Sequence, residues 1–433
     1  MLVAMFVALP AAVPAANDFT AIYRAGDLGY GCFMNPSAIA VGKAVWAFAE
    51  ARWPSCGDFD CRWDNETQSS ICGKHDIALR RSLDSGRTWT PIELVVRVDR
   101  DFGPESSVNA SIFNVSPVYD HRTSAIVLMF NLQPAAYNNV ADVHDPHARE
   151  TYTIISTDQG ATFSRPRNIT SQLQASVTNP WAASRNPMAV TPGPGIQLRS
   201  GALLMPGYGC PQPASGVCVG YGLNSSLRTW SYRSDDGGVS WSMSTPSPAV
   251  GAGEAMAVEL SDGRLLMNAR SIQWPHDGQP HPQRHRLYLT STDGGRSWSG
   301  DAALGEFGWL TGPSCEAAFV RERANGRDLL LFSNPASNLR RVNMTLRVSR
   351  DSARSWTDHV VYPNSSWYST IVMVDSAVSP GSAGAVGPRV GRDAPSRDAL
   401  LLFTKDCDSP IANDHGECKS ISMWRMGLDS NPR

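Results

Sequence analysis

The sequence predicts an all-β fold assembled from repeated units of about four short strands each, and three observations predict it. First, an eight-residue phrase returns five times: SLDSGRTW at Ser82–Trp89, STDQGATF at Ser156–Phe163, SDDGGVSW at Ser234–Trp241, STDGGRSW at Ser291–Trp298 and SRDSARSW at Ser349–Trp356. Its common form is Ser-x-Asp-x-Gly-x-Ser/Thr-aromatic, with Ala353 replacing the Gly in the last copy. Second, the aspartates of successive copies lie 57 to 78 residues apart, which is room for one propeller blade. Third, the chain of 433 residues has 36 Gly and 30 Pro with only 18% charged residues, a turn-rich balance, and no long amphipathic helical pattern.

Each copy of the phrase reads as a turn between strands. Asp side chains accept from backbone amides further along, Gly tolerates positive φ, and the closing aromatic folds back on the core. Apolar runs such as Ile77-Ala78-Leu79 and Leu287-Tyr288-Leu289 precede the turns as strands. Five aspartates in equivalent places stabilise turns; a catalytic group is not needed five times.

In chain order, the apolar run 1–16 ends in small residues and reads as a signal peptide cleaved near Ala15 or Ala16, leaving 17–433 as one domain. A first strand pair is expected over 19–52, a Cys-rich loop over 53–75, and strands around the first phrase over 76–98. Ser124–Asn131 is a buried strand, 133–150 a polar loop, and Ala257–Leu266 a hairpin with an Asp-Gly turn. A Gly/Pro/Ser-rich excursion spans 379–396, and Ala399–Thr404 and Ile421–Met426 supply the last strands.

A formal charge of −2 gives no footprint for nucleic acid or an anionic membrane surface. No segment reads as a transmembrane helix. Close cysteine pairs such as Cys210/Cys218 and Cys407/Cys418 suggest hairpin-end disulfides, while Cys56, Cys61 and Cys72 cluster in one insertion. Seven Asn-x-Ser/Thr sequons agree with a secretory route to the exterior or a lysosome-like compartment. Without a Cys-x-x-Cys pair, and with His75 and His415 each near a single Cys, no metal is expected and no cofactor is implied.

The segments between the repeats resemble sialidases with Asp-box repeats, of the bacterial and animal lysosomal type. Phe48-Ala49-Glu50-Ala51-Arg52 is similar to their FAEAR stretch and Ile77–Ser82 to their IALRRS; Glu254–Leu260, Arg341–Arg347 and Tyr368-Ser369-Thr370 also have counterparts. The resemblance implies a six-bladed propeller with its site at the mouth of a central channel. It also implies an exo-α-sialidase that releases sialic acid from sialylated glycans with retention, through a tyrosyl intermediate.

The chemistry agrees with those residue types. A sialoside carries a carboxylate on its anomeric carbon, which guanidinium forks bind and which repels a carboxylate nucleophile. The resemblance makes Tyr368 the nucleophile, Glu254 its base, Asp58 the acid/base with Asp60 as rival, and Arg286, Arg341 and Arg52 the substrate-binding arginines.

One departure stands out. Met34, in Cys32-Phe33-Met34-Asn35-Pro36, occupies the place of the family's first carboxylate-binding arginine, and Thr404 replaces the Glu that buttresses it. The double change is coherent, since a buried Glu without its Arg would be an uncompensated charge. Arg24 and Lys405 are the cations available to substitute. A binding propeller without catalysis, and a glycosidase for a related nonulosonic acid, are the other readings of this change.

Overall fold

The computed structural model describes residues 18–54, 56, 61–64, 69–103, 110–133, 149–175, 188–210, 225–272, 285–300, 307–324, 327–376, 396–407 and 418–428. The expected leader, Asp58, Asp60 and nearly all of the 379–396 excursion lie outside these residues. The fold is all-β, with two short α-helices, Val98–Asp101 and Thr170–Ala175, among the described residues.

Four larger sheets follow one another along the chain. The first is ordered Cys32–Val41, Ala44–Trp53, Lys74–Ser82, Ser111–Asp120, Ala125–Gln133, Glu150–Ser156 and Arg167–Asn168, with Glu93–Val96 also paired to Lys74–Ser82. Its two halves touch through one parallel residue pair, His75 with Ser111; its other pairings are antiparallel. The second sheet centres on Leu203–Gly209 and Arg228–Ser234, and the third holds Ala252–Glu259, Leu265–Ser271 and Leu287–Ser291.

The last sheet runs from Ala318–Ala324 through Arg327–Pro335, Val342–Ser349, Thr357–Asp375, Arg397–Cys407 and Cys418–Gly427 to Thr20–Arg24. Strand Thr357–Asp375 belongs to two pairings: as far as Ser365 it pairs with Val342–Ser349, and from Ser366 with Arg397–Cys407. The N-terminal strand thus pairs with the C-terminal one rather than with its sequence neighbour, and the pair expected over 19–52 forms between Cys32–Val41 and Ala44–Trp53.

The segment 53–75 is not wholly a loop. Cys61–Asp64 and Ser69–Cys72 form a small antiparallel pair with Cys61 opposite Cys72, a backbone ladder that polar sequence without alternation does not announce. The Asp-Gly hairpin is as expected: Leu260 N donates to Arg264 O at 2.8 Å and Gly263 has φ 88°.

Six larger apolar clusters among the described residues lie between successive groups of strands. Phe48 and Leu79 meet Leu128, Met129 and Val127 meet Met205 and Trp230, and Leu204 meets Met267 and Leu289. Met256 and Leu266 meet Phe319 and Phe332, and Leu331 and Leu346 meet Ile371 and Leu401. The sixth cluster joins the last strands to the first, with Leu400, Leu402 and Ile421 against Ile22, Val45 and Ala47.

The five turns share one hydrogen-bond pattern. In the fourth, Ser291 Oγ donates to Asp293 Oδ1 at 2.8 Å and accepts from Gly295 N at 2.9 Å. Ser297 donates to Asp293 through its amide at 3.0 Å and its hydroxyl at 2.5 Å. The same contacts recur around Asp84, Asp158, Asp236 and Asp351. Gly295 has φ 84°, and a Cβ there would fall 2.2 Å from Leu204 Cδ1 on the preceding sheet. Only a residue without a side chain lets the turn close on its neighbour at that point. Gly86 of the first turn meets Leu400 and Met423 of the last strands in the same way.

Candidate active site

Three irregularities in the ladders mark the site. Register shifts fall between Ala252 and Ala255, between Ser366 and Ser369, and between Met34 and Ser37. They bracket Glu254, Tyr368 and the segment beginning at Met34. An extra residue in a strand bends it and re-aims a side chain, which is why such bulges gather at sites.

The re-aimed groups meet. The Tyr368 hydroxyl, half-buried, donates to Glu254 Oε1. Arg270 Nη1 donates to Glu254 Oε2 at 2.7 Å and to Tyr368 Oη at 3.2 Å, so one guanidinium touches both members of the pair. Arg341 lies alongside, its guanidinium carbon 4.5 Å from the Trp367 ring centroid and 5.9 Å from that of Tyr368. Enclosure and then the Glu254 carboxylate push the Tyr368 phenol up from its ordinary range, and Arg270 and Arg341 oppose them. A phenol so placed stays protonated until a base takes the proton, and Glu254 is already its hydrogen-bond acceptor.

Three arginines converge on one tripeptide, Ser314-Cys315-Glu316. Arg270 Nε donates to Ser314 Oγ at 3.3 Å, Arg341 Nη2 to Ser314 O at 3.4 Å and Arg286 Nη1 to Cys315 O at 2.5 Å. Ser314 is left-handed at φ 59°, and its carbonyl and that of Cys315 both serve as acceptors. Arg286 is further tied by its Nε to Asn268 Oδ1 at 2.7 Å, and burial lowers its guanidinium to about 10. Arg341 therefore stands beside Tyr368, whereas Arg286 has no hydrogen bond to it and reaches the site through the tripeptide. Arg270 was not singled out by the sequence; the signal was its place one strand after Glu254, directly following the cross-strand pair Ala255–Ala269.

Arg52 is buried and committed. Its Nε and Nη2 donate to Glu50 Oε2 at 3.0 and 2.6 Å, and its Nη1 to Cys56 O at 2.7 Å. Glu50 also accepts from Asn35 Nδ2 at 2.8 Å and Asn114 N at 2.6 Å. Cys56 is disulfide-bonded to Cys32, not to a neighbour within its own insertion. Arg52 and this bridge fix the chain two residues before Asp58.

Beside Met34, where the resemblance leads to the expectation of an arginine, the wall is apolar. Met34 is 3% exposed and packs in one cluster with Cys32, Cys56, Cys315, Trp367, Cys407, Cys418 and the ring of Tyr368. Thr404, fully buried, accepts from Trp367 N at 3.1 Å. The cations that could have substituted are elsewhere: Arg24 is exposed on the N-terminal strand, and Lys405 pairs with Asp406 at 2.7 Å over the rings of Tyr362 and Phe19.

The Cys407–Cys418 disulfide forms across paired strands, Cys210 is disulfide-bonded, with Cys218 outside the described residues, and Cys315 is free and buried. Asn114, one of the sequon asparagines, is 5% exposed and donates to Tyr208 Oη at 3.3 Å, so the folded chain does not offer it to a glycan. Among the described residues no group of His, Cys, Asp and Glu could hold a metal, and no helix is long and apolar enough to cross a membrane.

Comparison with known proteins bears on the family and the fold. The family model for the BNR repeat-like domain matches residues 58–379. A sialidase of Micromonospora viridifaciens is 30% identical over 334 residues, covering 73% of this chain and 46% of that protein. A sialidase of Bacteroides fragilis is 24% identical over 374 residues, covering 82% of this chain and 60% of that protein. The chain thus spans about half to three-fifths of the length of these two relatives. The solved structure of the Hadza microbial sialidase Hz136 superposes with a TM-score of 0.70 at 21% identity, covering 96% of this chain and 69% of that one, a likeness of fold. Repeated turns, all-β fold and matched family together place this chain in the sialidase family with Asp-box (BNR) repeats.

Proposed function

We propose that this chain is an exo-α-sialidase that hydrolyses terminal sialic acid from glycans with retention, on a six-bladed propeller. The observation that carries the reading is the hydrogen-bonded trio of Tyr368, Glu254 and Arg270 at a half-buried position beside Arg341. Six apolar clusters between successive strand groups, the last joining the C-terminal strands to the N-terminal one, support the six blades.

In this reading Arg341 and Arg270 bind the substrate carboxylate, with Arg286 holding the tripeptide beneath them. Glu254 takes the phenol proton as Tyr368 attacks the anomeric carbon, and Arg270 steadies the carboxylate before transfer and the phenolate during it. Asp58 protonates the leaving oxygen, then activates the water that releases the sugar. Arg52 and the Cys32–Cys56 bridge hold the chain that carries Asp58. Sialylated glycans are the substrate, and no cofactor enters.

The Met34 wall favours one further reading, a glycosidase for a related nonulosonic acid. The test is turnover of a fluorogenic sialoside by the purified chain and by Tyr368→Phe. Release that disappears in the variant supports the proposal; release only from another nonulosonide supports the second reading; glycan binding without release from either overturns both.

A further inference from the structure

We propose that Glu316 is a positioning residue for Tyr368, held as a neutral carboxylic acid and hooked to the backbone beside the phenol. It rests on the reading of Tyr368 as nucleophile and adds to it a second carboxyl group beside the phenol.

Glu316 is 2% exposed. Its Oε2 accepts from Ser369 N at 3.0 Å, the amide that immediately follows Tyr368 and closes the register shift aiming the phenol. Its Oε1 is buried without a hydrogen-bond partner and faces Gly193, where a Cβ would lie 3.8 Å away. It makes no ion pair among the described residues. The charged and titratable groups around it are Glu254, Arg270 and Arg286, with the Cys315 thiol preceding it in the chain. Arg341 and Tyr368 complete the surroundings through Ser314 and Ser369.

A buried carboxylate with one amide donor and no contact cation is costly, and the group escapes the cost by keeping its proton. Glu254 has what Glu316 lacks: the Arg270 guanidinium at 2.7 Å. Of two carboxyls in one site, the one without a contact cation is the one that keeps its proton. Burial, reinforced by Glu254, pushes Glu316 well above the usual carboxylate range, against the Ser369 amide and the two arginines.

The consequence concerns Tyr368. A neutral Glu316 anchors the bulge without adding a negative charge beside a phenol that has to ionise. As pH rises through the Glu316 value, a second carboxylate appears there, and phenolate formation becomes harder. Arg286 and Arg270 act on Glu316 through space, but among the described residues neither forms an ion pair with it.

Infrared difference spectroscopy of the full chain tests the protonation state. The expected result is a protonated-carboxyl C=O band at neutral pH that is missing from Glu316→Gln. Its absence from the wild type, or its persistence in the variant, overturns the proposal. In turnover, Glu316→Gln is expected to retain kcat and KM at neutral pH and to hold activity further into the alkaline range, while Glu316→Ala loses kcat by roughly tenfold with KM little changed. Superimposable pH profiles overturn it. Should the wild type release no sialic acid, the nucleophile reading fails separately; ultraviolet titration of Tyr368, taken as the difference from Tyr368→Phe, then decides the coupling. Glu316→Gln must shift that ionisation to lower pH, and no shift overturns the positioning role.

Discussion

The two walls beside Tyr368 are built on opposite principles. On one side three buried guanidiniums, Arg270, Arg286 and Arg341, are each hydrogen-bonded to Ser314 or Cys315, with Glu254 and Asn268 as further acceptors for the first two. On the other, Met34, Trp367 and two disulfides make an apolar surface, and Thr404 bonds the Trp367 backbone where a carboxylate could have held a cation. A buried charge survives only with its partners. The first wall therefore tolerates little change, while the second is held by packing and two disulfides.

The largest effect should come from the group both walls enclose. Tyr368→Phe removes the hydroxyl between Glu254 and Arg270, and turnover should fall by on the order of 10³-fold or more with folding intact. Steady-state kinetics beside a thermal melt checks it. Next is the charged wall. Arg270→Met leaves Glu254 buried without its cation and should cost about 3–5 kcal/mol of stability as well as activity, measured by denaturant unfolding. Stability equal to wild type would mean that Glu254 does not depend on Arg270.

The apolar wall should respond in the other direction. Met34→Arg together with Thr404→Glu introduces a buried pair and should tighten sialic acid binding by roughly ten- to hundred-fold, read by calorimetry. Met34→Arg alone should instead lower Tm, since Glu50, opposite it in the ladder, is already paired with Arg52. If the double variant binds no better, the apolar wall does not face the substrate carboxylate.

The smallest effects belong to the repeated turns. Hydroxyl and amide donors, opposing slight burial, hold Asp84 and Asp293 down to about 2; the Thr162 hydroxyl and amide do the same for Asp158. A carboxylate lowered in the folded state contributes stability above its unfolded value of about 4, and loses it as pH falls toward about 2. Thermal melts should therefore decline through that interval, while Asp293→Ala should lower Tm by roughly 2–4 °C and leave kcat unchanged.

The scaffold was the more legible part of the sequence, because each repeat is stabilised within eight residues: Ser291, Asp293 and Ser297 satisfy one another wherever the rest of the chain goes. Tyr368, Glu254 and Arg341 were singled out through the resemblance of their local phrases, and the fold brings them side by side. Arg270 was not, since Met267-Asn268-Ala269-Arg270 is an ordinary strand end whose meaning comes from the bulge opposite. Glu316 and the converging tripeptide were equally silent, for their partners lie 27 to 53 residues away in sequence. The pairing of Thr20–Arg24 with the C-terminal strand is likewise a contact between chain ends, which no local pattern encodes.

The central claim is that Tyr368 forms a covalent bond to the substrate sugar. Incubation with 2,3-difluorosialic acid tests it directly, because fluoride leaves from the anomeric carbon while the second fluorine slows hydrolysis of the adduct. Intact-mass spectrometry should show one added sugar, located on the Tyr368 peptide and absent from Tyr368→Phe. An active enzyme that gains no mass, or gains it on another residue, would contradict the account.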